Sequence, residues 1–162
     1  MDFLWAPWRM EYIGTARDDS QCIFCSKPME NDDKKNLIAY RGKTCYIILN
    51  YYPYNNGHLM IVPYRHFSEF NQLTVEEKLE IMNLTEQATL IIKAEMSAQG
   101  FNIGVNLGSV AGAGIAQHLH FHVVPRWNGD TNFMPVTSHT KVISEGLMDT
   151  CERLRKHFRK EP

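Results

Sequence analysis

No stretch of the 162-residue sequence approaches the roughly 20 consecutive apolar residues needed to span a bilayer, so no membrane partner is expected. The opening segment, Met1-Asp2-Phe3-Leu4-Trp5-Ala6-Pro7-Trp8-Arg9, carries an early acid and no apolar run of signal-peptide length. The expectation is a soluble, cytoplasmic protein. An excess of one charge is also missing: 17 Lys and Arg face 18 Asp and Glu, a net charge of -1. That balance removes a general attraction to nucleic acid or anionic lipid, so a phosphate-bearing ligand would have to be held by local groups. Cysteine is sparse, with four residues. Cys45 falls in an apolar strand-like run and Cys151 in a helical one, as buried thiols would. Cys22 and Cys25 form a C-x-x-C, a spacing that in a cytoplasmic protein points to metal or redox chemistry before a structural disulfide.

Repeats, low-complexity tracts and linkers are absent as well, and the length suits one domain with a hydrophobic core, here residues 1–162. Residues 1–13, with Trp5, Trp8 and Tyr12, are too apolar for a solvated tail and read as an arm packing on the body or on a partner subunit. Two apolar runs, Leu37–Tyr40 and Thr44–Leu49, flank Arg41-Gly42-Lys43 and predict a hairpin. The turn-rich stretch 51–57 leads into a strand from His58 to Val62 that ends at Pro63. Over 74–98 the pattern is helical: Thr74 and Glu77 make a capping box, Ile81, Leu84, Ala88 and Ile91 recur at helical spacing, and Gln99-Gly100 closes the segment. Phe101–Leu107 reads as a strand, Gly108–Ala116 as a turn of small residues, and 126–139 as a loop. A second helix over about 141–158 carries Ile143, Leu147, Cys151, Leu154 and Phe158 on one stripe. Strands in hairpin-like succession with two helices indicate an α+β fold with an antiparallel sheet.

The most informative stretch is Gln117-His118-Leu119-His120-Phe121-His122-Val123-Val124-Pro125. Three of the seven histidines alternate with apolar residues at a period of two, the period of a strand. Successive histidines on one face would stand about 6.6 Å apart, close enough to converge on a small ligand. The strand pattern stops at Pro125, which cannot donate to a central ladder. Imidazole is the side chain that serves as a neutral nucleophile near pH 7. For phosphoryl or nucleotidyl transfer, one ring nitrogen must be open to attack while the other is protonated and held by a carbonyl. Neighbouring donors must neutralise the nonbridging oxygens. His120, flanked by His118 and His122, has that arrangement. Upstream, the Gly- and Ala-rich run from Asn106 to Gln117 could bring backbone N–H groups, at Gly112, Ala113 and Gly114, against phosphate oxygens, or be an ordinary turn. It is no Walker loop, since Gly-Lys-Ser/Thr does not follow. Cys22, Cys25, His66 and one triad histidine supply four soft or borderline ligands, the number a tetrahedral zinc takes; the alternative is a reduced thiol pair without metal.

The run His118-Leu119-His120-Phe121-His122-Val123-Val124 resembles the signature of the histidine triad (HIT) superfamily of nucleotide hydrolases and transferases. The resemblance implies a five-stranded antiparallel sheet with two helices, and a homodimer that continues the sheet. It also implies His120 as the residue forming a covalent nucleotidyl-histidine, with His118 and His122 beside it. Asn106-Leu107-Gly108 resembles the family segment whose amide reaches the phosphate. Where commoner branches carry Gln or Ser shortly before the triad, Gly114 and Ile115 stand, which shifts the work to backbone donors. Asn50 to His58 is similar to the family's nucleoside-binding turn, with Asn50 for the ribose hydroxyls; Leu49 and Ile38 would line an adenine slot or belong to the core. In superfamily relatives with a C-x-x-C, the first triad histidine joins the metal, which would assign His118 to zinc. Residues 4–13 and 123–136, the latter containing the run Pro125-Arg126-Trp127-Asn128-Gly129-Asp130, resemble the diadenosine tetraphosphate phosphorylase branch. That similarity implies an adenine dinucleoside polyphosphate and inorganic phosphate as reactants. In that run Arg126 is a candidate phosphate ligand, and Trp127 is a base-stacking platform or the buried anchor of a loop. The competing readings are a HIT hydrolase with water as acceptor, a nucleotide-binding module without turnover, and a zinc-dependent structural protein.

Overall fold

A computed structural model describes residues 22–131 and 142–158. The 1–13 arm and part of the 126–139 loop lie outside them. Five antiparallel strands form one sheet: β1 (Ile38–Arg41), β2 (Cys45–Leu49), β3 (Leu59–Pro63), β4 (Gly100–Val105) and β5 (Phe121–Arg126), in the order β1-β2-β3-β5-β4. Among the described residues three α-helices accompany it: the one-turn α1 (Ile23–Ser26), the long α2 (Val75–Met96) and α3 (Leu147–Phe158). The first was not legible as a helix, because four residues give no periodicity.

The β1–β2 hairpin turns where it does because of a residue far along the chain. The Glu80 carboxylate, on α2, accepts the N–H groups of Lys43 (2.6 Å), Thr44 and Cys45 (2.9 Å) and the Thr44 hydroxyl. A Cβ on Gly42 would collide with that carboxylate, so the close approach requires glycine. Helix α2 starts at the capping box: Glu77 N–H donates to Thr74 Oγ1 (3.2 Å) and Thr74 N–H to Glu77 Oε2 (2.8 Å). Its end differs from expectation. The left-handed residue after Met96 is Ser97 (φ 52°), and Gly100 already belongs to β4. Strand β4 stops at Val105, two residues short of Leu107. Helix α3 begins at Leu147 rather than near 141: Gly146 breaks the pattern, and the Glu145 carboxylate before the helix accepts from Thr150 Oγ1 (2.6 Å) and Arg153 Nη2 (2.7 Å).

Because side chains alternate across a strand, the sheet has two apolar faces. One, with Ile47, Leu49, Leu59, Ile61 and Val123, packs under α2 (Ile81, Leu84, Ala88, Ile92) and α3 (Cys151, Leu154, Phe158). Each fully buried aliphatic side chain there contributes about 1.5–3 kcal/mol. On the opposite face, with Ile38, Tyr46, Ile48, Met60 and Val62, no long helix packs among the described residues, and Phe24 from α1 lies against it. No helix among the described residues is long and apolar enough to cross a membrane.

Candidate active site and adjoining metal-binding cluster

The site lies on the second face. Met60 pairs with His122, and Gly104 pairs with His122 from the other side. A Cβ on Gly104 would meet nothing within 4 Å, so the space beside the His122 ring on the β4 side stays open. The β4–β5 register ends at Val105 across from Phe121, and Asn106 and His120 are the next residues beyond it on the two sides of the pair. Asn50 and His58 flank the turn between β2 and β3, joined by Asn50 N–H to His58 C=O at 2.9 Å, and share the face of Ile48 and Met60.

The three histidines do not share one strand. Only His122 lies in β5; His118 and His120 belong to the irregular segment before it, which is tied to the body by Leu119 N–H to Phe67 C=O (2.6 Å). At the far end, Pro125 is inside β5. Its carbonyl accepts from Asn55 Nδ2 (3.1 Å) on the side β3 has left, so the missing N–H interrupts no ladder.

Each imidazole has its tautomer set by a neighbour whose role is fixed. His120 Nδ1 is 2.8 Å from the His118 carbonyl, which can only accept, so the proton sits on Nδ1 and the lone pair on Nε2. His118 Nε2 donates to the Pro63 carbonyl (2.9 Å), which leaves its lone pair on Nδ1. His58 Nδ1 accepts the Tyr54 N–H (3.0 Å) and faces Asn50 Nδ2 (3.3 Å), so its proton is on Nε2 and donates to His122 Nδ1 at 2.9 Å. With Nδ1 accepting from His58, the His122 proton sits on Nε2. His120 is buried, 4% exposed, and burial lowers its pKa despite the carbonyl bond. Burial likewise pulls His118 down to about 4. Both are neutral near pH 7, as a nucleophile and a metal ligand must be.

The His118 lone pair faces sulfur. Its Nδ1 is 3.3 Å from Cys22 Sγ and 3.6 Å from Cys25 Sγ, and His66 Nδ1 is 3.4 Å from Cys25 Sγ. The four ligand atoms all lie within 4.8 Å of one another. Bonds of about 2.0–2.3 Å at tetrahedral angles place ligand atoms roughly 3.3–3.8 Å apart, so the cluster fits one tetrahedral ion with little movement. Burial, followed by proximity to Cys22, pushes the Cys25 thiol up to about 11. A thiolate at Cys25 therefore needs a cation beside it.

The remaining candidates are placed as follows. Gly112 and Ala113 direct their N–H groups to the carbonyls of Ser109 (2.9 Å) and Gly108 (3.3 Å), inside the turn itself. Arg126 shares a face with His122 but sits four residues along β5, about 13 Å away. Its guanidinium is engaged by Asp130 (2.6 and 3.0 Å) and Asn102 (2.8 Å). Trp127 packs against the helix-side core and donates its indole N–H to the Met96 carbonyl (3.0 Å), so the structure places it as the anchor of a loop rather than at the histidines. Two residues that no motif marked also border the histidines: Gly104, and Phe24, which stands between the two cysteines.

The HIT domain family matches residues 31–129, which contain the histidines and Asn50 but not the cysteine pair. The chain is 43% identical to AP-4-A phosphorylase of Mycobacterium tuberculosis, over 98% of this chain and 85% of that protein. Among solved structures, a zinc-bound histidine triad family protein from Mycobacterium smegmatis superposes with a TM-score of 0.67 at 23% identity, over 85% of this chain and 93% of that one. A histidine triad nucleotide-binding protein from Sulfolobus tokodaii also gives 0.67, at 25% identity, over 85% and 91%.

Proposed function

The chain belongs to the HIT domain family of enzymes, and from that premise we propose that it cleaves dinucleoside polyphosphates through a nucleotidyl-histidine, with diadenosine tetraphosphate and inorganic phosphate as reactants. The observation that carries the reading is the His120 ring: Nδ1–H bound to the His118 carbonyl, Nε2 bearing the lone pair, in a buried, neutral state. Support for the substrate comes from the 43% identical relative, which is named for this dinucleotide.

In the proposed mechanism His120 Nε2 attacks the phosphorus nearest one adenosine. An N–P bond forms, the P–O bond to the next phosphate breaks, and ATP leaves. His122, with its proton on Nε2 and His58 behind it, donates to the phosphate or leaving oxygen. Inorganic phosphate then attacks the same phosphorus and breaks the N–P bond, giving ADP and restoring His120. Asn50 serves the ribose. Asn106 and the 108–114 turn serve the phosphates; Gly112 and Ala113 would share N–H groups that the turn already uses. Two in-line displacements retain configuration at phosphorus.

The Cys22, Cys25, His66 and His118 cluster would hold zinc, whose preference for thiolate and imidazole at tetrahedral angles matches the donor set. Zinc bound there would tie α1 to the segments that carry His66 after β3 and His118 before β5. The protein is proposed to act in the cytoplasm, and as a homodimer because, among the described residues, β4 is an edge strand with Asn102, Ile103 and Gly104 exposed.

Product analysis tests the reading. Diadenosine tetraphosphate with millimolar phosphate should give ATP plus ADP, with labelled phosphate entering ADP. AMP as the main product under those conditions would replace phosphorolysis by hydrolysis and leave His120 as the nucleophile.

A further inference from the structure

Helix α1 delivers more than two thiols to the site. Between them, Phe24 is 1% exposed, and its ring lies against two members of the triad. The Phe24 and His120 centroids are 4.9 Å apart at an interplanar angle of 47°, and Phe24 and His118 are 5.5 Å apart at 71°. His122 also stands 4.9 Å from His120, at 75°. The single hydrogen bond from Nδ1 to the His118 carbonyl fixes one point of the His120 ring, but not its tilt about that bond. Packing must supply the rest.

Phe24 is well placed to do so because its own position is over-determined. Its carbonyl accepts the Tyr46 hydroxyl at 2.8 Å, its side chain packs with Ile38, Tyr46, Ile48, Met60 and Val62, and its chain neighbours belong to the metal-binding cluster. With 1% exposure the ring offers almost no surface to a nucleotide. Edge and offset aromatic contacts contribute only about 0.5–1.5 kcal/mol each. A displacement of a reacting atom by about 1 Å, however, can lower a rate a hundredfold. The consequence of the contact is therefore felt in orientation far more than in stability.

We propose that Phe24 is a positioning residue that sets the tilt of the His120 imidazole and so aims Nε2 at the phosphorus. The proposal rests on His120 being the nucleophile. Through Phe24 and through the His118 carbonyl, the cysteine-bearing turn and the reacting ring form one mechanical unit.

The test is Phe24→Leu, which keeps an apolar side chain but removes the flat face. With diadenosine tetraphosphate and phosphate, kcat should fall about tenfold to a hundredfold while KM stays within about twofold. Bound zinc per chain should be unchanged. In 15N spectra of the imidazoles, His120 should lose its single Nδ1–H tautomer in favour of a mixture. Phe24→Tyr, which restores the ring, should recover most of the kcat. If Phe24→Leu does not fold, Phe24→Met fills the same space and carries the same expectation. Unchanged kcat and tautomer overturn the proposal. So does a rise in KM alone, which would make Phe24 a nucleotide contact, or a loss of zinc in step with kcat, which would make it a structural support of the metal. If the wild-type protein shows no turnover, the nucleophile reading falls, while the imidazole spectra still decide whether Phe24 holds the ring.

Discussion

His120 and His118 are held alike: each gives one ring nitrogen to a carbonyl and keeps the lone pair of the other open, for the proposed attack at His120 and the proposed metal at His118. Removing the His120 ring should abolish turnover while nucleotide binding survives, because Asn50, Asn106 and the Gly-rich turn are untouched. His120→Ala is expected to lose orders of magnitude in kcat, and more than about a tenth of wild-type activity would remove it as nucleophile. The alternation of histidines was legible from residue order, since an extended chain repeats every two residues whether or not it is paired. Its placement was not. Only the β3 and β4 registers reveal that pairing begins at Phe121, leaving His118 and His120 in the lead-in where their rings can turn to different partners. Phe24 was hidden for a related reason: a ring contact between residues distant in the chain has no spacing to detect.

At the level of elements, α2 declared itself through its cap and its core stripe, whereas α3 was extended too far because Ile143 fits the same stripe without being helical. Glu77, in the first turn of α2, is buried and has its pKa lowered by Arg65, at 2.7 Å from both carboxylate oxygens, and by Thr74. A carboxyl held below its unfolded value of 4.5 stabilises the fold above that pH, and the contribution is lost as pH falls below it. Glu77→Gln should therefore cost about 1–3 kcal/mol in a denaturant titration at pH 7, and the deficit should shrink at pH 3 to 4. An equal deficit at both pH values would mean that charge is not the cause. Helix α1 is too short to hold itself in place, so its attachment falls to the buried Phe24, to the Tyr46 hydroxyl on the Phe24 carbonyl and, as proposed, to a metal in the cluster. Cys22→Ser should lower both zinc content, from near one per chain, and thermal stability, since structural metal contributes folding energy. Wild-type protein that is metal-free and equally stable would remove the site.

For the whole molecule, the sheet order among the described residues leaves β4 on an edge, and α2 carries a separate exposed apolar line. Its core stripe, Ile81, Leu84, Ala88 and Ile92, is opposed by a second line of apolar residues, Val75, Leu79, Met82 and Leu90, all more than 60% exposed. Successive members of that line are three, four or eight positions apart, so they share one side of the helix. Ile103 on β4 is 52% exposed as well. Light scattering at micromolar concentration should give about twice the 18.8 kDa chain mass, and a single 18.8 kDa species would count against the dimer. Because the outward line on α2 takes no part in the core, it can be redrawn by a protein engineer without disturbing the fold. Replacing Leu79, Met82 and Leu90 by Glu, Lys or Gln, all good helix formers, therefore tells whether the proposed dimer uses this face of α2 or only the β4 edge.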